Sequence, residues 1–223
     1  MTTEPDVTRQ SKRTLTANVL LLVAILLHNL TYPLSTLGGV GPLIFYLFYA
    51  SIFVAGTWAL EKGRGWRAAI SISGLAVFVV GLLNSYRPGP LAALDVYVTS
   101  IIYHGLMIAV LIRYTFTARI VVTDVVLAAT SLYLVIGSCF AAIFALIDWL
   151  QPGSFVASSG AAIGWQQLVY YSFVTLTTVG YGDITPVGFY AQSFAAFEAV
   201  LGVLYTVILL SRLVGLHASR PTE

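Results

Sequence analysis

Long apolar runs separated by short polar punctuation set the pattern of this chain. They extend over about Leu15 to Leu37, Leu43 to Leu60, Trp66 to Tyr86, Leu94 to Tyr114, Val122 to Leu150 and Phe189 to Leu216. A membrane-spanning helix needs roughly 20 apolar residues, so the chain has room for six. The first run is too long for the apolar part of a signal peptide and lacks a persuasive cleavage site, so it is read as a retained span. Thr36 to Pro42 is an uncharged, glycine-rich turn. Glu61, Lys62, Arg64 and Arg67 form a short charged loop. Arg87-Pro88-Gly89-Pro90 breaks the helix, because proline lacks an N–H and disfavours helical backbone before it. Arg113 and Arg119 bracket the next connection, and Asp124 falls in an interfacial first turn of the fifth run. Gln151 to Gly164 is a loop of Pro, Gly, Ser and Ala. Trp165 to Thr177 is apolar but too short to cross, and is read as a re-entrant helix. Non-helical backbone beside it is tolerated at membrane depth only where it is buried or lines a water-filled path.

The expected fold class is an all-α membrane protein with six transmembrane helices plus that re-entrant helix and a loop. Composition agrees: 58% of the residues are hydrophobic and only 9% charged, against about 25% charged in soluble domains. The net charge of +2 says little about partners, and nothing points to nucleic acid. The one cysteine, Cys139, excludes an intrachain disulfide. Asn29-Leu30-Thr31 fits the glycosylation pattern but lies near the end of a span, as a chance match would.

The stretch that organises the chain is Thr177-Thr178-Val179-Gly180-Tyr181-Gly182-Asp183. Rings of backbone carbonyls can replace the water shell of a hard cation such as potassium. An extended strand alternates direction from residue to residue, whereas such a ring needs successive carbonyls aimed at one axis. Glycine reaches the φ > 0 backbone that permits this. Gly180 and Gly182 alternate with Val179 and Tyr181, whose side chains can then turn away. The Thr178 hydroxyl adds an oxygen at the inner end. The bland alternative is a glycine turn between two helices.

This run, with Ile184-Thr185-Pro186 after it, resembles the signature filter of potassium channels. The resemblance covers roughly Ala118 to Leu216. It implies that Thr178, Val179, Gly180 and Tyr181 coordinate K+, with no other cofactor, while Gly182 and Asp183 close the outer mouth and Thr177 supports the filter. It implies that Tyr170 and Tyr171 replace a tryptophan pair behind the filter, with Tyr171 near Tyr181 and Tyr170 near Asp183; plain aromatic packing is the alternative. Gly202 falls where the inner helix of the family often carries a hinge glycine, or it is a small residue for helix packing. Val203, Thr206 and Leu210 share a helix face with it, which by resemblance lines a cavity. A constriction would lie around Leu210 to Val214. The re-entrant helix directs its negative end toward that cavity.

Glu198 is the one acid inside the sixth run, where a carboxylate is costly and by default functional or paired. It braces the filter region as a hydrogen-bonded, at least partly protonated acid, or faces the cavity and concentrates cations, or pairs with another span. His28 and His104 lie within the first and fourth runs. They are read as hydrogen-bonded packing residues, with a metal or haem ligand as the less favoured alternative.

Threading six spans with the N-terminus inside places ten of the eleven Lys and Arg residues in the cytoplasm, with only Arg87 outside. That is the bias the positive-inside rule asks for, and it puts the filter entrance outside. Trp58 and Trp66 then fall near the inner interface, Trp149 and Trp165 near the outer one. The expected organisation is a cytoplasmic tail (1–13), a four-helix transmembrane domain (14–114), a pore domain (115–217) and a cytoplasmic tail (218–223), in a plasma or inner membrane. Six spans with a filter between the last two resemble voltage-gated channels, but voltage sensing needs repeated arginines in the fourth span. Only Arg113 is there. With no internal repeat, one filter per chain requires four chains around one axis. The sequence therefore predicts a homotetrameric, lipid-embedded, potassium-selective channel that is not voltage-gated and performs no bond chemistry. A weakly selective cation channel and a non-conducting membrane sensor or regulatory subunit are the alternatives. With no room for a soluble domain, the gate is expected to answer to lipid, tension, pH, ions or a partner.

Overall fold

A computed structural model describes the backbone of residues 4–59, 63–117 and 123–218. The elements are α1 (Glu4–Thr31), a 3-10 turn (Tyr32–Thr36), α2 (Gly41–Ala59), α3 (Arg64–Tyr86), α4 (Pro90–Thr117) and α5 (Thr123–Leu150). They continue with β1 (Phe155–Ala157), α6 (Trp165–Leu176), β2 (Ile184–Pro186) and α7 (Phe189–Ala218). Thr14–Ser35, α3, α4, α5 and Phe189–Arg212 are long and apolar enough to cross a membrane. Helix α2 is apolar too, with a shorter qualifying stretch, Gly41–Ile52. The chain is a helical membrane protein.

Local chemistry explains where the boundaries differ from expectation. Helix α1 ends at Thr31 rather than Leu37, because Pro33 disfavours helical backbone just before it and opens the 3-10 turn instead. It begins at Glu4, so the polar stretch expected as a loose tail continues the helix. Helix α4 begins at Pro90 rather than Leu94. Proline fits the first helical turn, where its missing N–H has no intrahelical partner to lose.

Contacts at the two ends show that successive helices alternate in direction. At one end Tyr86 Oη donates to Gly39 O (2.7 Å), Trp149 Nε1 to Pro90 O (3.0 Å) and Gln166 Nε2 to Ser35 Oγ (3.1 Å). At the other, Tyr114 Oη donates to Asp124 Oδ2 (2.7 Å) and accepts from Asn18 Nδ2 (3.3 Å). There Arg113 also lies over the Trp66 ring. Arg212, near the end of α7, donates to the carbonyls of Thr115 and Phe116 at the end of α4.

Helices α1 to α4 pack each on the next, and α1 and α4 both close onto α5. Helix α5 is the hub: Leu132, Ile136, Phe140 and Phe144 are buried, and it also carries α6 and α7. Helix α7 is different. Phe194, Phe197, Val200, Leu204 and Ile208 are exposed along it. The loop before α6 is not irregular throughout, because β1 pairs antiparallel with β2, Val156 opposite Thr185. This ribbon ties the segment before α6 to the segment after the glycine-rich run.

Candidate functional site

Helix α6 runs from Trp165 to Leu176. At 1.5 Å per residue it spans about 18 Å, too little to cross a bilayer core of about 30 Å. The Gln167 side chain accepts a hydrogen bond from the Gly164 N–H (2.5 Å) and secures the first turn. Thr177 caps the last turn in right-handed geometry, with φ −84° and ψ 0°. Beyond it the left-handed region recurs at every second residue: φ is +60° at Thr178, +57° at Gly180 and +77° at Gly182.

Hydrogen bonds show what this alternation does. Thr178 N donates to Thr175 O (2.9 Å), Val179 N to Val174 O (3.0 Å) and Gly180 N more weakly to the same oxygen (3.4 Å). Three successive N–H groups thus face α6. A trans peptide holds its N–H and C=O antiparallel. The carbonyls sharing those three peptides, of Thr177, Thr178 and Val179, therefore point away from α6 in succession. A regular strand cannot do this. Val179 and Tyr181 are exposed in the single chain.

The left-handed backbone of Thr178, a residue already singled out in the sequence, is the unexpected feature here, since only glycines were expected at φ > 0. Among the described residues Thr178 is the one non-glycine in that region. A β-branched residue there is strained, by roughly 1–3 kcal/mol, and such strain persists only where surrounding structure over-determines it.

Tyr170 and Tyr171 diverge. Tyr170 Oη donates to Asp183 Oδ2 at 2.9 Å, and its ring lies parallel to that of Tyr181 with centroids 6.5 Å apart. Asp183 Oδ1 accepts from Ile184 N (3.1 Å), and Asp183 O accepts from Ser158 N (2.8 Å). Tyr171, expected beside Tyr181, turns the other way. It is buried edge-on against Phe144 and Phe155, 5.2 Å from each. Adjacent residues on a helix are about 100° apart, and within the chain this turns the two rings toward different neighbours.

Glu198 is fully buried within a single chain, so it does not face a central cavity. Its Oε1 lies 2.5 Å from Ser172 Oγ, and that hydroxyl lies 2.7 Å from Gly137 O. A hydroxyl has one hydrogen, and a carbonyl can only accept. Both contacts are hydrogen bonds only if Ser172 donates to Gly137 O while Glu198, as a neutral acid, donates to Ser172. Ser172 was not singled out in the sequence: a serine in a short apolar helix carries no signal until its partner is known. The second carboxyl oxygen, Oε2, has no protein partner.

Gly202 sits against the end of α6. A Cβ built on it would overlap the main-chain oxygen of Leu176. Tyr133 Oη donates to that same oxygen (3.1 Å), and the Tyr133 ring packs on Tyr205. Of the two readings of Gly202, close packing is the one with a contact behind it. Val203, Thr206 and Leu210 are exposed in the single chain, and Thr206 Oγ1 returns its hydrogen to Gly202 O (3.0 Å). The Val214 side chain, the two tails' ends (1–3 and 219–223) and the Trp58 side chain lie outside the described residues.

His104 presents Nδ1 to Ser100 O at 2.7 Å. His28 stacks on Phe45 with centroids 4.6 Å apart, and its Nδ1 has no partner. Among the described residues no three His, Cys, Asp or Glu side chains gather in metal-binding geometry. Asn29 is not offered as a glycosylation acceptor, since its Oδ1 meets Ser138 Oγ on α5 at 3.3 Å.

A short helix entering the bundle, a turned-out carbonyl run and a long helix returning beside it define the pore domain of an ion channel. Residues 130–216 match the family model described as "Ion channel". This stretch contains most of α5, all of α6, the glycine-rich run and most of α7. A two pore potassium channel c from Oryza sativa subsp. japonica is 40% identical over 63 residues, which make up 28% of this chain and 14% of that relative. The match thus spans about one seventh of the relative's length. No solved structure matches. Residues 130–216 are thus similar to ion channels, and a 63-residue stretch of the chain is similar to a potassium channel.

Proposed function

We infer that the chain forms a homotetrameric pore that conducts K+ selectively and passively across a plasma or inner membrane, without voltage gating. The observation that carries the reading is the run of successive carbonyls turned away from α6. One chain supplies one oxygen at each level, and a dehydrated K+ needs a ring of them. Four copies around an axis provide it. In this reading Thr178, Val179, Gly180 and Tyr181 coordinate the ion, with the Thr178 hydroxyl at the inner end.

The exposed apolar face of α7 fits the tetramer, because Phe197, Val200 and Leu204 would be covered by neighbouring copies or lipid. Val203, Thr206 and Leu210 would line the cavity, narrowing toward Leu210 to Val214. Tyr170 and Asp183 hold the outer mouth. Glu198, as the neutral acid, braces α6 through Ser172. Six helices cross, α2 among them, and the Lys/Arg bias puts both termini in the cytoplasm. Arg113 alone in α4 supplies no ladder of gating charges.

The test is reconstitution of the purified protein in liposomes under a K+ gradient, with flux followed by a K+-sensitive reporter. Selective K+ flux with strong discrimination against Na+ is expected. Equal permeability to the two ions overturns selectivity, and no flux of either ion overturns conduction.

A further inference from the structure

The N–H groups of the glycine-rich run that bond to α6 end at Gly180. Through Tyr181, Gly182 and Asp183 no further main-chain bond to α6 follows among the described residues. Gly182 nevertheless keeps the left-handed backbone, at φ +77°, and the Tyr181 carbonyl belongs to the proposed coordination set. The outer half of the run needs a support other than the carbonyls of α6. Tyr170 holds the Asp183 side chain, but a carboxylate on its own rotatable bonds does not fix the main chain behind it.

The main chain is held by the segment before α6. Asp183 O accepts from Ser158 N at 2.8 Å, which extends the β1–β2 ladder one residue beyond the Ala157–Ile184 pair. The other end of the ladder is closed as well, since Ser154 O accepts from Val187 N (2.9 Å) and Gly188 N (3.2 Å). A two-stranded ribbon is marginally stable by itself, so it needs an anchor in the core. Phe155 supplies it: the residue is buried, with its ring 5.2 Å from that of Tyr171 on α6 and 5.4 Å from that of Phe144 on α5.

We propose that Phe155–Ser158 is a clamp on the outer end of the filter. The Ser158 amide is the positioning group, acting through Asp183 on the Tyr181 carbonyl, and the Phe155 ring is its anchor. The inference rests on the reading of this run as a K+ filter, and adds a support for it that lies outside α6 and α7.

Proline isolates the amide. Ala157 O accepts from Gly160 N (2.9 Å), so Ser158 and Ser159 are the central residues of a β-turn. Neither has positive φ, as a type I turn requires and types II, I′ and II′ do not allow. Proline is favoured at the first central position of a type I turn, and Ala157 before it already lies in a strand, as proline demands. Ser158→Pro therefore removes one N–H and keeps the turn.

The test is K+ current in planar bilayers from the reconstituted full-length protein, with wild type beside Ser158→Pro, Ser158→Ala and Phe155→Leu. Ser158→Pro should speed the decay of current during sustained conduction about threefold, with little change in thermal midpoint. Ser158→Ala keeps the amide and should restore the wild-type rate, which a role of the hydroxyl would not. Should Ser158→Pro fail to assemble, Phe155→Leu decides: it loosens the anchor and should speed decay while K+ current persists, and a wild-type rate there overturns the clamp. K+ current in the wild type with unchanged decay in Ser158→Pro, or equal acceleration in Ser158→Ala, also overturns the clamp alone. No K+ current from the wild-type protein overturns the conduction reading, and the clamp with it.

Discussion

Gly202 and the carbonyl oxygen of Leu176 are in direct apposition: no side-chain atom fits between α7 and the last turn of α6. The same oxygen receives the Tyr133 hydroxyl from α5. Three helices therefore meet at one main-chain acceptor, immediately before the filter run. Gly202→Ala should push α7 away or break the Tyr133 bond, costing roughly 1–3 kcal/mol per chain. A lowered thermal midpoint in detergent is expected, together with loss of filter-dependent K+ flux. A hinge role without close packing predicts instead an unchanged midpoint and altered open probability only.

Glu198 gives a prediction that separates proton from charge. Glutamine keeps the shape and can still donate to Ser172 Oγ, so Glu198→Gln should retain assembly, thermal midpoint and conductance. Glu198→Ala leaves Ser172 without its second partner beside an empty space. A loss of about 1–3 kcal/mol is expected, read as a lower midpoint. A large drop in single-channel conductance in Glu198→Gln, with stability intact, assigns the carboxylate's charge to the conduction path and removes the bracing role.

At Gly180 the backbone is at φ +57°. Alanine there costs about 1 kcal/mol or more in the left-handed region, in each of four chains. Gly180→Ala should fold, because nothing lies within 4 Å of the added methyl, yet lose K+ selectivity. Flux assays with K+ and Na+ gradients compare the two; a variant with native selectivity contradicts the assigned filter.

Tyr170→Phe deletes the bond to Asp183 and nothing else. Because the bond is exposed in the single chain, the effect on stability should be small. The effect on function should be larger, seen as faster decay of current during sustained conduction. Tyr171→Phe serves as the contrast, since the Tyr171 ring is held by Phe144 and Phe155 and should leave the decay unchanged.

Voltage should do little. One arginine at the end of α4 supplies at most a fraction of the roughly 2.3 kcal/mol per charge per 100 mV that steep gating uses. Open probability measured in planar bilayers should be nearly flat from about −100 to about +100 mV. Steep dependence worth several charges would assign a sensor role to α1–α4.

What the sequence determined by itself is what depends on local composition. Lipid requires long apolar runs, so the helices from Arg64–Tyr86 to Phe189–Ala218 lie close to where hydrophobicity alone puts them. The shortness of α6 and the glycine spacing after it were equally legible, because both are read from adjacent residues. Boundaries shifted at Thr31 and Pro90, where proline chemistry intervened, and at Glu4, where the polar stretch before the first apolar run continues α1. The tertiary structure alone decided relations across the chain. Ser172 and Glu198 are 26 positions apart and Tyr133 and Leu176 are 43 apart. Whether they meet depends on how each helix is rotated about its axis, which an all-round apolar helix does not encode in its hydrophobic pattern. The same rotation sent Tyr170 to Asp183 and Tyr171 into the core, although the two are neighbours in sequence. The left-handed Thr178 belongs here as well: its own side chain disfavours that backbone, and the carbonyls of α6 that draw the N–H groups inward impose it.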